Sequence, residues 1–292
     1  MNVLVGLLLV IPLGAAALTL LLPRLGLRRA VSIIASSATL VVSLFVLAGV
    51  DDGGSIVVNV GGWAAPVGIA LVADRFAALM LSVSAAALLG VLVFAVGQRD
   101  NDEAFPAFHS VYQTLAAGVV LAFLTGDLFT LFVAFEIMLT ASYVLITHRA
   151  GPQQIRATMT YVVVGLVASA LFLVSIGLLY AATGTVNLAD LSIRLGDVDP
   201  SVRTAVGWLL FMVFGIKAAI FPLFFWLPDS YPTAVAPVTA IFAGLLTKVG
   251  VYAIIRTQTL FFPPDQPSTP ILLIAGLTMV IGVLGAIAQG DI

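Results

Sequence analysis

GIKAAIFPLFFWLPDSYPTAVAPVTAIFAGLLTK, residues 215–248, holds both lysines of a 292-residue chain and sets each inside an apolar run. Every other basic side chain is an arginine. A lysine near the middle of a lipid-spanning helix costs roughly 2.5–3.5 kcal/mol on insertion scales, so it normally faces a polar interior with a partner. Two such lysines close in sequence need a reason. Between them lie Pro222, Pro228, Pro232 and Pro237, each of which removes a backbone donor and clashes with the preceding turn. The expectation is a helix that carries Lys217 and breaks at Pro222, five residues further on.

Composition places the chain in lipid. Apolar residues make up 61% and charged residues 9%, with a mean hydropathy of +1.19. The net charge of −2 offers no polybasic footprint for nucleic acid or anionic headgroups. The absence of cysteine removes disulfides, thiolate metal sites and iron–sulfur clusters. Two histidines far apart in sequence, His109 and His148, argue against a buried transition-metal site.

Runs of about 18–25 apolar residues are long enough to cross a bilayer. Nine are expected: Val3–Leu22, Ala30–Val50, Phe76–Gly97, Ala107–Thr125, Leu128–Thr147, Met159–Ala182, Ala205–Leu227, Ala234–Thr257 and Pro270–Ala288. The first has no basic residue before it, and Arg24, Arg28 and Arg29 follow it. It therefore reads as a spanning helix with its N-terminus outside, not as a signal peptide. In that orientation Arg24, Arg28, Arg29, Arg99, Arg149 and Arg156 fall inside, against Arg75, Arg194, Arg203 and Arg256 outside, a weak bias in its favour.

Of the outer connections, the glycine-rich 51–73 predicts a surface hairpin and 190–203 an amphipathic turn or short helix. Phosphate-cradling glycine motifs are absent. Asp74 and Asp127 read as caps of the third and fifth spans, and Asp229 with Ser230 as the start signal of the eighth. The phenylalanines at 129, 132 and 135 and at 221, 224 and 225 read as packing, Trp226 as an interfacial anchor. His109 and His148 read as helix-end residues.

Glu136 stands within twenty otherwise uncharged residues and is one of two glutamates; the other, Glu103, lies in a loop. At about 1.5 Å per residue, Glu136, Lys217 and Lys248 sit roughly 12, 18 and 13 Å below the outer ends of their helices. Burial disfavours the charged form of an acid or an amine, and an opposite charge nearby restores it. A lysine between these influences is switchable, so the three residues predict a proton relay in the membrane plane. A broken helix strengthens this reading, because freed carbonyls and water gather where transporters place ion sites. The competing reading is a static buried salt bridge between Glu136 and Lys217 that fixes helix register.

The segments FLTGDLFTLFVAFEIMLTASYVL, FGIKAAIFPLFFWLPDSYPTAVAPVTAIFAGLLTKVGVYAIIR and GGWAAPVGIALVAD resemble the antiporter-like membrane subunits shared by respiratory complex I, membrane-bound hydrogenases and Mrp-type multisubunit sodium/proton antiporters. The surroundings of Glu136, and FPLFFWLP in place of a histidine-containing version common in complex I relatives, make it most similar to the Mrp D type. The resemblance implies an all-α polytopic membrane protein of about nine transmembrane helices: the first inverted-repeat half, helices 4–8, of a fourteen-helix fold with helix 7 broken. The implied domains are an N-terminal three-helix region over 1–105, the first five-helix repeat over 106–257, and over 258–292 the first helix of a second repeat.

By the same resemblance Glu136, Lys217 and Lys248 form the proton path. The chain ends at Gln289-Gly290-Asp291-Ile292, inside a motif that continues in relatives. The expectation is therefore a fragment or a split half that does not translocate ions alone. The implied setting is a bacterial or archaeal plasma membrane, in complex with other antiporter subunits, carrying protons and sodium without a cofactor. No residue is assigned to sodium. Two alternatives stay open: a pumping subunit of a redox complex, and a structural docking subunit without transport.

Overall fold

The computed structural model describes residues 1–98, 100–147, 151–262 and 269–288. Arg99, His148, Arg149 and the terminal segment 289–292 lie outside the described residues. Each of the nine expected spans falls on a helix. Helices α1 (Asn2–Leu21), α2 (Leu25–Gly49) and α3 (Arg75–Gly97) come first, followed by a short α4 (Asp100–Ala104). Then come α5 (Phe108–Leu124), α6 (Leu128–Thr147), α7 (Pro152–Thr183), a short α8 (Leu188–Arg194) and α9 (Pro200–Ala218). After α10 (Leu227–Ser230), α11 (Ala236–Phe261) and α12 (Thr269–Ile287) complete the described chain. Among the described residues eight helices are long and apolar enough to cross a membrane, with α5 a shorter apolar ninth.

Helix α5 is apolar on all sides and almost wholly buried, as expected of a helix at the centre of a bundle. Helices α1, α2, α3 and α6 pack on it, α7 packs on α6, α9 on α7 and α11 on α9, and α11 also returns to α3 and α5. The α12 helix buries none of its residues. Caps define the ends: Asp74 Oδ1 accepts from the Ala77 amide at 2.8 Å, Asp127 Oδ1 from Thr130 at 2.6 Å and Asp199 from Ser201 at 2.8 Å, each satisfying an orphan donor of a first turn. The predicted hairpin is present as β1 (Ile56–Asn59) and β2 (Ala70–Ala73), antiparallel, with Ile56 opposite Ala73. Gly61 and Gly62 turn at φ 69° and 79°, a region glycine enters without steric cost.

Three expectations are corrected. The helix bearing Lys217 ends at Ala218, and Ala219 adopts the left-handed conformation at φ 54°, so the break precedes Pro222. The Ile220 amide donates to the Gly215 carbonyl at 3.1 Å and the Ala219 amide to Ile216 at 3.2 Å. These are the two bonds of a Schellman C-cap, and Pro222 lies beyond them in the connection. Trp226 is buried, not an interfacial anchor; its indole N–H donates to the Ile216 carbonyl at 3.1 Å. Asp229 and Ser230 belong to α10 rather than to the start of α11, where Val235 occupies the N-cap without a side-chain bond.

Candidate functional site

Three helices meet where the polar residues converge. Phe135 and Glu136, adjacent on α6, point to different neighbours. Phe135 is buried and stacks at 6.0 Å on Phe214 of α9, while Glu136 is half-buried at a groove of about 460 Å³ between α5 and α6, lined also by Thr114 and Thr140. From α7, the Ser169 hydroxyl donates to Glu136 Oε1. From α9, Lys217 Nζ donates to Ser169 Oγ at 3.3 Å. The serine thus bridges acid and amine, since a hydroxyl donates one hydrogen bond and accepts others.

Lys217 is 8% exposed and its ammonium lies 4.7 Å from the centroid of the Phe135 ring, within range of a cation–π attraction that strengthens on desolvation. It also stands in the last turn of α9, where the negative end of the helix dipole favours a cation. The broken helix therefore delivers its negative end to the middle of the bundle. Chemically, the triplet has two protonation forms: an ammonium with a carboxylate, or an amine with a carboxylic acid. Interconverting them through Ser169 requires the serine to give its proton to Glu136 and take one from Lys217.

The structure brings Glu136 and Lys217 together and does not bring Lys248 to them. Lys248 is exposed on α11, where its Nζ donates to the Ala243 carbonyl and, at 3.3 Å, to Thr247 Oγ1 of the same helix. A π-helical turn, Phe242–Leu246, precedes it, a feature frequent at functional sites. Sequence reasoning missed Ser169, one serine among several in apolar spans, as well as the ring over Lys217 and the π turn. Among the described residues no cluster of three or more His, Asp or Glu is placed to hold a metal ion. His109 is buried near the start of α5, where Nε2 lies 3.1 Å from Asp102 Oδ2.

Fold and composition together define a multi-pass helical membrane protein. Within that class the chain belongs to the NADH:quinone oxidoreductase/Mrp antiporter transmembrane family, whose model matches residues 125–292. It is 44% identical over 268 residues to the D-type subunit of the Na(+)/H(+) antiporter of Alkalihalophilus pseudofirmus, a match covering 91% of this chain and 54% of that protein. Among solved structures it resembles a chain of the Mrp complex from Dietzia sp. DQ12-45-1b, with a TM-score of 0.89 and 34% identity over 99% of this chain and 54% of that one. A chain of the membrane-bound sulfane sulfur reductase, an archaeal respiratory membrane complex, matches at a TM-score of 0.89 and 30% identity, over 99% of this chain and 60% of that one. The chain spans about half the length of the curated relative it matches.

Proposed function

We propose that this chain is the proton-conducting part of a D-type subunit in a multisubunit monovalent cation/proton antiporter of a plasma membrane, with its N-terminus outside. The observation that supports this best is the Glu136–Ser169–Lys217 bridge, buried beside the end of a broken helix. Protons load and leave Lys217 as Glu136 gains or loses its charge, drawing on the membrane potential at about 2.3 kcal/mol per charge per 100 mV. Lys248, on the outward face of α11, is the next acceptor once another part of the assembly covers that face. Sodium is the proposed counter-ion, after the named activity of the relative from Alkalihalophilus pseudofirmus. Replacing Lys217→Ala in the assembled antiporter is expected to abolish cation-driven proton flux in vesicles, whereas a purely docking role predicts no change. A redox-complex setting is the second reading, favoured by the likeness to the sulfane sulfur reductase chain; proton flux driven by electron transfer instead of a cation gradient would select it.

A further inference from the structure

An ammonium has three donors, and Ser169 accepts one of those of Lys217. Lys217 also borders a cavity of about 30 Å³, whose walls include Gly165 and Tyr161 of α7 and Trp226 and Tyr231 of the connection after the helix break. A water needs roughly 10–15 Å³ of such space and polar partners, so the cavity has room for about two. Tyr161, like Tyr231, is a wall residue that carries a hydroxyl. It is buried, and its ring lies nearly parallel to that of Trp226, with centroids 5.1 Å apart and planes at 18°. Trp226 in turn bonds the Ile216 carbonyl, next to Lys217.

The hydrogen-bond directions around Tyr161 are set by its neighbour. Ser142 Oγ donates to the Leu139 carbonyl at 2.7 Å, so its one proton is committed there. The 2.9 Å contact between Ser142 Oγ and the Tyr161 hydroxyl is then a bond donated by the tyrosine, which leaves the tyrosine oxygen as an acceptor. A buried acceptor and a buried ammonium on the wall of one water-sized cavity suit a water that accepts from Lys217 and donates to Tyr161.

Resting on the proposed function, we propose that Tyr161 is a positioning residue that holds, beside Lys217, the water through which that lysine exchanges protons on the side away from Glu136. In the unloading step one Nζ–H bond breaks and one O–H bond forms. The positive charge passes to the water, which hydrogen-bonds the Tyr161 oxygen, and Lys217 is left neutral. Loading is the reverse.

Two measurements test this. Tyr161→Phe removes the hydroxyl and keeps the ring that lies against Trp226. In the chain itself, in lipid nanodiscs with nitrogen-labelled lysine and Lys248→Arg to leave Lys217 as the one lysine, water-to-Nζ polarisation transfer is expected in the parent and is lost in Tyr161→Phe. No transfer in the parent overturns the water site, whatever transport does. In the assembled antiporter, Tyr161→Phe is expected to cut proton flux about tenfold, less than the roughly 10²–10⁴-fold for removing a proton-transfer group itself, because it misplaces the water, and to move the midpoint of its pH profile. Flux and profile unchanged while Lys217→Ala abolishes transport overturn this role and leave the proposed function standing. Lys217→Ala without effect overturns the proposed function and the exchange role with it, and the polarisation transfer then decides the water site alone.

Discussion

Ser169 links the acid to the amine, because its hydroxyl touches both Glu136 and Lys217. Hydrogen bonds to charged groups contribute about 1.5–3 kcal/mol each, so Ser169→Ala is expected to lower proton flux by about one order of magnitude or more. Ser169→Thr, which keeps the hydroxyl, is expected to retain most of it; equal losses in the two variants would assign the effect to packing. At this scale the sequence announced the charges plainly, since a lone glutamate and two lysines stand out against apolar spans. It did not announce Ser169 or the Phe135 ring, because serine and phenylalanine recur in those spans and only the pairing of α6 with α7 and α9 singles these two out.

The broken helix is decided by how α9 ends. Ala219 at φ 54° is strained for an L-residue by roughly 1–2 kcal/mol, and Ile220 folds back over Gly215, where a Cβ would meet Ile220 Cδ1 at 2.9 Å. Ala219→Gly is expected to raise thermal stability by about 1 kcal/mol with the fold unchanged, since glycine enters this region freely. On α11, a Cβ at Gly250 would meet the Ala218 amide nitrogen at 2.7 Å, so the two backbones touch at the break. Gly250→Val is expected to destabilise the chain by about 1–3 kcal/mol or more and to lower flux by displacing Lys217; an unchanged melting temperature would contradict the close approach. Four prolines made a break legible but pointed three residues too late. Side-chain identity shows where a helix cannot continue, whereas the tertiary fold made it stop earlier.

Two polar clasps tie neighbouring helices together at opposite ends of α3. At its start, Arg256 of α11 grips Asp74 through two bonds of 2.5 Å. Past its end, Arg29 of α2 binds Asp102 of α4 at 2.6 and 2.8 Å, and His109 joins them. Burial works to raise both carboxyls, and the arginines, with the α3 amide at Asp74 and His109 at Asp102, more than offset it, holding each below the usual carboxylate range. A depressed carboxyl contributes stability above its unfolded value, about 3.9, and loses it as pH falls through the folded value. The parent is therefore expected to exceed Asp74→Asn and Asp102→Asn in melting temperature by a constant margin above about pH 5, shrinking below about pH 4. A margin that shrinks instead between pH 6 and 8 would assign the clasps to the histidine.

Membrane residence, the run of apolar helices, the hairpin and the caps at Asp74 and Asp127 followed from the sequence alone. Hydropathy, alternation and first-turn hydrogen bonding are properties of neighbours along the chain, so they can be read there. Pairing was left to the fold: Glu136 reaches Lys217 only through a third helix, Trp226 turns inward to cap a broken one, and Lys248 faces away. Apolar helices of similar length fit one another in many registers, so the packing of α5, α6, α7, α9 and α11 decided which polar groups share an interior and which stay at the surface.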